Sequence, residues 1–140
     1  MSGKIARAVY WDSSAVLSAL FDDRHSDEAQ KRAHGDELHF LSTLAWAETH
    51  AVIARIERER ALAAVLGDAA REALERGPWR RLDVSPPWTI VRTLASKWPL
   101  RGAALWHLAV AKSLQGELPE LTFLSFDARL AAAARAEELA

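Results

Sequence analysis

The chain has 140 residues, half of them hydrophobic, and a formal net charge of −1, which fits one compact domain spanning residues 1–140. It contains no cysteine, which excludes disulfides and thiolate-held metal sites and fits a reducing cytoplasm. No apolar run approaches the ~20 residues that cross a bilayer, and no secretory signal follows Met1. We therefore expect a cytoplasmic protein without a membrane partner, and the charge balance gives no global attraction to nucleic acid.

Strands and helices are predicted to alternate along the chain. Apolar runs rich in β-branched and aromatic residues indicate strands at residues 5–11, 38–41, 79–84 and 121–126. Apolar stripes with helical spacing, together with capping and stop residues, indicate helical segments at residues 15–21, 26–33, 44–60, 61–76, 88–98, 100–114 and 128–139. Strands separated by helices predict an α/β domain, in which a central parallel sheet of four to five strands lies between two layers of helices.

Three acidic residues occupy related positions in this alternation. Asp12 follows the first predicted strand, Asp127 follows the last, and Glu48 lies in the opening turns of the helix after the second strand. Because sites in open α/β sheets form beyond the carboxyl ends of the strands, we expect the three acids at one edge. Each has a structural alternative, since an Asp at a strand–helix turn can simply cap the next helix and Glu48 can be a solvated helix residue.

Carboxylates gathered at one edge of the sheet would repel one another and lose hydration, so a bound cation is the usual reason for such a cluster. Oxygen ligands without histidine or cysteine favour Mg²⁺ or Mn²⁺ over zinc. Such an ion can orient a water molecule, lower its pKa and stabilise charge that develops on a phosphate. The three acids therefore predict metal-dependent chemistry on phosphate groups.

Four segments of the chain resemble the sequence motifs of PIN domains, in the family's order and across nearly the whole length. They are residues 9–17, with Asp-Ser-Ser-Ala after a hydrophobic strand, and residues 42–48, 100–109 and 124–130. The compact length is most similar to VapC-like toxins of bacterial toxin–antitoxin pairs. This resemblance implies a three-layer α/β/α fold and a Mg²⁺-dependent endoribonuclease that cleaves RNA phosphodiesters by metal-activated water. It makes Asp12, Glu48 and Asp127 the expected catalytic and metal-binding residues.

One position departs from the family pattern. The third motif of PIN domains carries an Asp just before the segment Leu-x-His-Leu-Ala, and this chain has Ala104 there, between flanks that keep the pattern. Either the site is naturally degenerate or a catalytic Asp has been replaced by alanine, and the intact flanks favour replacement. Loss of one ligand should weaken metal binding without disturbing the fold, because alanine suits a helix.

The resemblance also implies partners. It predicts a homodimer, a VapB-like antitoxin whose C-terminal peptide blocks the cleft, and a structured RNA substrate such as tRNA or ribosomal RNA. Ser13 and Ser125 are expected near the site, in contact with RNA, an acid or a metal-bound water. Arg101, beside the third motif, is either a phosphate contact or the partner of a neighbouring carboxylate.

A basic stretch runs through the second half of the chain. Seven basic residues between Arg76 and Lys112 oppose a single acid, Asp83, which indicates either a local phosphate-binding surface or an ordinary solvated face. Asp83 itself belongs to no motif and is left outside the predicted site. Three tryptophans of this stretch are expected in core or dimer packing, with base stacking as the alternative, and these are Trp79, Trp88 and Trp98.

Two functions from other classes stay open. One is a catalytically dead PIN module that binds RNA or a protein partner without cutting, and the other is a phosphatase with Asp12 as its nucleophile. The phosphatase is disfavoured because Ser14 stands where it would need a second Asp. The five histidines show no metal-binding spacing, so each of them, His107 included, is interpreted as structural.

Overall fold

The computed structural model of the protein describes residues 7–59 and 63–139. Its strands are β1 (Ala8–Trp11), β2 (Leu38–Ser42), β3 (Trp79–Leu82) and β4 (Leu121–Leu124). Its helices are α1 (Ser13–Leu20), α2 (Ser26–Ala33), α3 (Thr43–Arg58), α4 (Ala64–Arg76), α5 (Trp88–Lys97), α6 (Gly102–Gln115) and α7 (Ala128–Ala136). The predicted alternation is confirmed, while residues 5–6 of the first predicted strand and 60–62 of the two long helical segments lie outside the described residues.

The four strands form one parallel sheet in the order β3–β2–β1–β4. Because the strands are parallel, their carboxyl ends meet at a single edge. β1 lies inside the sheet, and its last residue, Trp11, pairs with Leu124 at the end of β4. This register places Asp12 beside Ser125, although 113 positions of sequence separate them. The predicted α/β fold with a central parallel sheet is confirmed, and the described residues form four strands where four to five were expected.

Helices cover both faces of the sheet. Ala8 and Tyr10 of β1 belong to an apolar cluster with residues of α5, α6 and α7. Val9 and Trp11 belong to a second cluster, which includes residues of α1, α2, α3 and α4. Successive side chains of a strand point to opposite faces, so β1 contributes to both cores and is buried throughout. This arrangement is the predicted three-layer α/β/α domain, and within the described residues no helix is both long and apolar enough to cross a membrane.

Local chemistry sets the helix ends. α1 begins at Ser13, earlier than predicted, because the Asp12 side chain caps it directly. α6 begins two residues later than predicted, because Arg101 still has an extended backbone with ψ of 161°. α7 ends at Ala136, and Glu138 follows with a φ of +64°. This left-handed residue lets the Leu139 N–H donate to the Ala134 carbonyl at 2.8 Å, which closes the helix end.

Candidate active site

A cavity of about 710 Å³ opens at the carboxyl edge of the sheet. Residues that follow β1 and β4 line it, together with residues of α3 and of the segment that leads into α6. The three predicted acids, Asp12, Glu48 and Asp127, all lie in its wall. The sequence-based expectation that they share one edge of the sheet therefore holds for their positions.

Asp12 is the most deeply buried acid of the cavity, with 4 % of its surface exposed. Its Oδ1 accepts from the Ala15 N–H at 2.9 Å and from the Ser14 hydroxyl at 2.7 Å. Its Oδ2 accepts from the Ser125 hydroxyl at 2.5 Å. Burial raises the pKa of Asp12 above its ordinary value, and these uncharged donors offset that effect only in part. Within the described residues Asp12 forms no ion pair with a Lys or Arg side chain.

Glu48 is held in the cavity by a chain of buried side chains. The His107 Nε2 lies 2.7 Å from the Glu48 Oε1, and the His107 Nδ1 lies 2.6 Å from the Tyr10 hydroxyl. In the neutral tautomer whose Nε2–H donates to Glu48, Nδ1 is free to accept from the Tyr10 hydroxyl. Burial raises the pKa of Tyr10, which keeps its hydroxyl a donor at neutral pH. His107 and Tyr10 are 2 % and 0 % exposed, so the bond between them is shielded from water, while Glu48 is partly exposed to the cavity.

Asp127 also lines the cavity and is exposed. Its Oδ1 caps α7 by accepting from the backbone N–H groups of Arg129 and Leu130, at 3.0 and 3.1 Å. Its Oδ2 accepts no hydrogen bond from the described residues. The structural alternative foreseen for Asp12 and Asp127 is therefore real, because both cap helices. Capping occupies only one oxygen of each, so it is compatible with a second role.

Ala104 lies in the cavity wall, in the first turn of α6 and three residues before His107. Residues three apart share one face of a helix. A carboxylate at position 104 would therefore project towards the same cavity as His107. The position at which the resembled motif has an Asp therefore lies in the wall of the candidate site.

Ser13 and Ser125 both lie at the site, and Ser14 is a third serine there that the prediction did not favour. Ser13 lines the cavity, but it is Ser14 that donates to Asp12. The Ser14 hydroxyl also accepts from the Phe126 N–H at 3.0 Å, which joins the starts of the first and last motifs. Ser125 is buried and its hydroxyl is committed to Asp12. These contacts make Ser14 and Ser125 supports of the carboxylate.

His107 is the residue that sequence reasoning missed. It is structural in the sense that both ring nitrogens have partners, but one partner is the predicted site residue Glu48, and His107 itself lines the cavity. Its position one helical turn after Ala104 was the available signal, since it places the ring on the face of the expected acid.

The basic stretch does not act as one phosphate-binding surface. Lys97 and Lys112 lie 2.8 and 3.4 Å from the buried carboxylate of Glu137, and Arg76 pairs with Glu72 on its own helix at 3.3 Å. Arg101, in contrast, is exposed and lines the cavity. Part of the stretch is therefore structural, and part remains available at the site.

The tryptophans of the basic stretch have three different environments. Trp79 is buried in the core and packs edge-on against Trp11, with ring centroids 5.4 Å apart. Trp98 is half-buried and donates from its indole N–H to Glu137 at 2.9 Å. Trp88 is 93 % exposed, so core packing is wrong for this residue.

The chemistry of the cavity's donors fits a hard divalent cation, because all three acids offer oxygen and buried Asp12 has no cationic partner. Their positions are not those of a preformed cage. Among the described residues, no group of three or more His, Asp or Glu side chains lies close enough to hold a metal ion. A carboxylate at position 104 would add an oxygen ligand on the α6 side of the cavity, where Ala103, Ala104 and His107 now lie.

The fold and site define a class of three-layer α/β domain with an acidic cavity at the carboxyl edge of a parallel sheet. The PIN domain family matches residues 9–136, and the chain belongs to this family. PIN domains are in general nucleases that use divalent metal ions. No curated protein matches the chain.

Proposed function

We propose that this PIN domain is a Mg²⁺- or Mn²⁺-dependent endoribonuclease of the VapC-like toxin type, weakened in this chain by alanine at position 104. The observation that carries the proposal is the shared cavity: Asp12, Glu48 and Asp127 come from three distant parts of the sequence and line one space at the sheet edge. The family match adds the general activity, because PIN domains are nucleases.

Asp12, Glu48 and Asp127 are the residues that would hold the metal ion. When bound, the ion supplies an activated water and stabilises negative charge on the phosphate. The chain itself orients the carboxylates through hydrogen bonds. Ser14 and Ser125 fix both oxygens of Asp12, while one oxygen of Asp127 is fixed by capping α7.

We propose that Arg101 contacts the substrate. It is exposed at the cavity wall and forms no ion pair with a described carboxylate. A guanidinium with unoccupied N–H groups suits bidentate contact with a phosphate. Under this proposal Arg101 orients an RNA phosphate above the acids.

The partners follow from the resemblance to VapC-like toxins. We propose a homodimer in the cytoplasm, a VapB-like antitoxin whose C-terminal peptide blocks the cavity, and tRNA or ribosomal RNA as substrate. Co-purification from the native operon should yield a small partner with a basic tail. Isolation of the protein alone, from a gene without a small neighbour, would remove the toxin assignment and leave the PIN assignment intact.

The decisive experiment is Ala104→Asp. The added carboxylate should raise Mg²⁺-dependent cleavage of total RNA by about 10- to 100-fold, the range over which groups that tune metal sites act. Both forms are compared with Mg²⁺ and with EDTA, and Asp12→Ala in the Ala104→Asp form is the control. Equal activity of the two forms would show that position 104 does not supply the missing ligand.

The dead PIN module is the second candidate, and two observations favour it. Ala104 lines the cavity at the position where the resemblance implies an Asp, and the described acids do not form a preformed metal cluster. If neither form cuts any of a broad RNA panel, while RNA or a partner still binds, the non-cutting module is the better account.

A further inference from the structure

A second, smaller pocket lies at the same edge of the sheet as the cavity. It has a volume of about 200 Å³ and opens beyond the ends of β2 and β3. We call it the β2–β3 pocket, and it is lined by Leu41, Ser42, Thr43, Trp46, Arg81, Leu82 and Asp83. None of these residues belongs to the candidate active site, so the pocket calls for its own explanation.

The start of α3 separates this pocket from the cavity. Trp46 lines the pocket and Glu48 lines the cavity. Residues two apart on a helix point about 200° apart, so one helix presents one wall to each space. Neighbouring parallel strands lie about 4.8 Å apart, which puts the end of β3 on the order of 10 Å from the end of β1. Stacked nucleotides rise about 3.4 Å each, so one RNA strand can occupy both spaces.

Arg81 and Trp46 give the pocket its chemistry. The Arg81 guanidinium carbon lies 4.5 Å from the centre of the Trp46 ring, in a cation–π contact. Arg81 is exposed and, although Asp83 lines the same pocket, no described carboxylate pairs with it. A guanidinium held by an indole keeps its N–H groups for a phosphate and offers a planar surface to a base.

We propose that the β2–β3 pocket is a nucleotide-binding subsite for single-stranded RNA, in which Arg81, held by Trp46, binds a phosphate and stacks on a base. The inference rests on the proposed function, because it assigns the pocket to the RNA that the cavity would cut. A positive, planar group at the active edge favours RNA over an apolar protein segment as the occupant. The subsite would hold the strand a few nucleotides from the cut.

The adjacent residue provides a matched control. Arg80 and Arg81 are both exposed neighbours on β3, and successive strand residues point to opposite faces. Arg80→Ala and Arg81→Ala therefore remove the same charge, but only the second affects the pocket. Arg81→Lys keeps the charge and removes the plane, and thermal melting checks that every variant is folded.

The measurement is the affinity for a fluorescein-labelled, unstructured RNA of about 12 nucleotides, within the usual size of single-strand sites. It is made by fluorescence anisotropy in EDTA, so that no cleavage occurs. Arg81→Ala should weaken binding about tenfold and reduce the slope of log affinity against log salt by about 0.7, the value for one phosphate contact to a single strand. Arg81→Lys should recover only part of the affinity, and Arg80→Ala should change it less than twofold.

Several outcomes would overturn the subsite: no RNA binding by the parent protein, no effect of Arg81→Ala, or equal effects of Arg80→Ala and Arg81→Ala. If Arg81→Ala abolishes binding of an acidic peptide and leaves the RNA affinity unchanged, the pocket belongs to a protein partner. Cleavage by the Ala104→Asp form is measured separately. If the Ala104→Asp form cuts RNA but Arg81→Ala does not change RNA binding, only the subsite is rejected. If Arg81→Ala weakens RNA binding but neither form cuts RNA, the nuclease function is rejected and the RNA-binding subsite stands.

Discussion

Two buried carboxylates of this protein have opposite surroundings. Glu137, just after α7, is 6 % exposed and accepts from the Lys97 ammonium at 2.8 Å and the Trp98 indole at 2.9 Å. Asp12, in the cavity, is 4 % exposed, and among the described residues it accepts only from two hydroxyls and a backbone N–H. Burial acts to raise the pKa of both acids. At Glu137 the lysines and the indole reverse that effect and lower the pKa, whereas at Asp12 the pKa stays raised.

This difference distinguishes Glu137, which belongs to a structural ion cluster, from Asp12, which belongs to the candidate metal site. At Glu137 the chain provides its own counter-charge, and the carboxylate, paired with Lys97 and Lys112, joins α5, α6 and the end of α7. At Asp12 the chain provides orientation without charge. A buried carboxylate without a charged partner is costly to keep, and under the proposed function an external cation supplies what the chain omits. Removing the charge should therefore lower the stability of the metal-free protein at Glu137 and raise it at Asp12.

The largest effect is expected at Glu137. Glu137→Gln removes the charge that compensates Lys97 and Lys112. It should lower the free energy of unfolding by roughly 2 kcal/mol, because the carboxylate is buried while the two lysines are partly exposed. Urea denaturation at neutral pH measures this change. The midpoint shift produced by added Mn²⁺ should be the same as in the parent protein, and a lost Mn²⁺ response would contradict the structural role.

The stabilising contribution of Glu137 should depend on pH. Its pKa is lowered in the folded protein, so the folded state binds its proton less tightly than the unfolded state, whose glutamate pKa is about 4.3. The contribution is therefore present above about pH 4.3 and is lost as the pH falls through the folded pKa. The difference in free energy of unfolding between the parent and Glu137→Gln should shrink on acidification. A constant difference down to about pH 3 would show that the Glu137 charge does not stabilise the fold.

A smaller effect is expected at His107. A Gln side chain can place its amide N–H near the original Nε2 and still donate to Glu48, whereas Asn ends nearer to the original Nδ1. His107→Asn should weaken Mn²⁺ binding about tenfold, typical of the loss of a group that orients a ligand, and His107→Gln should weaken it less. Mn²⁺ titration followed by electron paramagnetic resonance measures both, and melting curves verify folding. Identical affinities would show that His107 does not position Glu48.

The smallest change in stability is expected at Asp12, and its sign is opposite to that at Glu137. Asp12→Asn removes a buried charge that lacks a cation, and its amide can donate to the Ser125 oxygen while its carbonyl keeps the other contacts. The metal-free protein should gain about 1 kcal/mol at neutral pH, a typical single-site magnitude. Stabilisation by Mn²⁺ should disappear. A loss of stability without metal would show that the Asp12 charge already has an adequate partner.

Much of the fold could be predicted because the informative patterns are local. β1 and β4 are short apolar runs covered on both faces, and each is followed by an Asp that caps the next helix. Strand–helix–strand alternation then places both acids at the carboxyl edge without further information. The presence of Glu48 in the same cavity follows from its place early in α3.

The remaining part of the site depends on contacts between distant residues. His107 meets Tyr10 across 97 positions and Glu48 across 59, so no local spacing indicates the chain of bonds. The choice between Ser13 and Ser14 depends on about 100° of rotation around α1, which the cap at Asp12 sets. The pairing of Lys97 and Lys112 with Glu137 likewise turns part of a basic stretch into a structural cluster.

The pairing of β1 with β4 has a consequence for how the protein is made. The bond between Ser125 and Asp12 joins the segments that follow β4 and β1. Asp12 therefore reaches its final surroundings only when β4 is in place. During synthesis the N-terminal part emerges first, at about 5–20 residues per second. A ribosome-bound chain that lacks β4 therefore has no complete cavity, and under the proposed function it cannot cut RNA until β4 has been made and paired with β1.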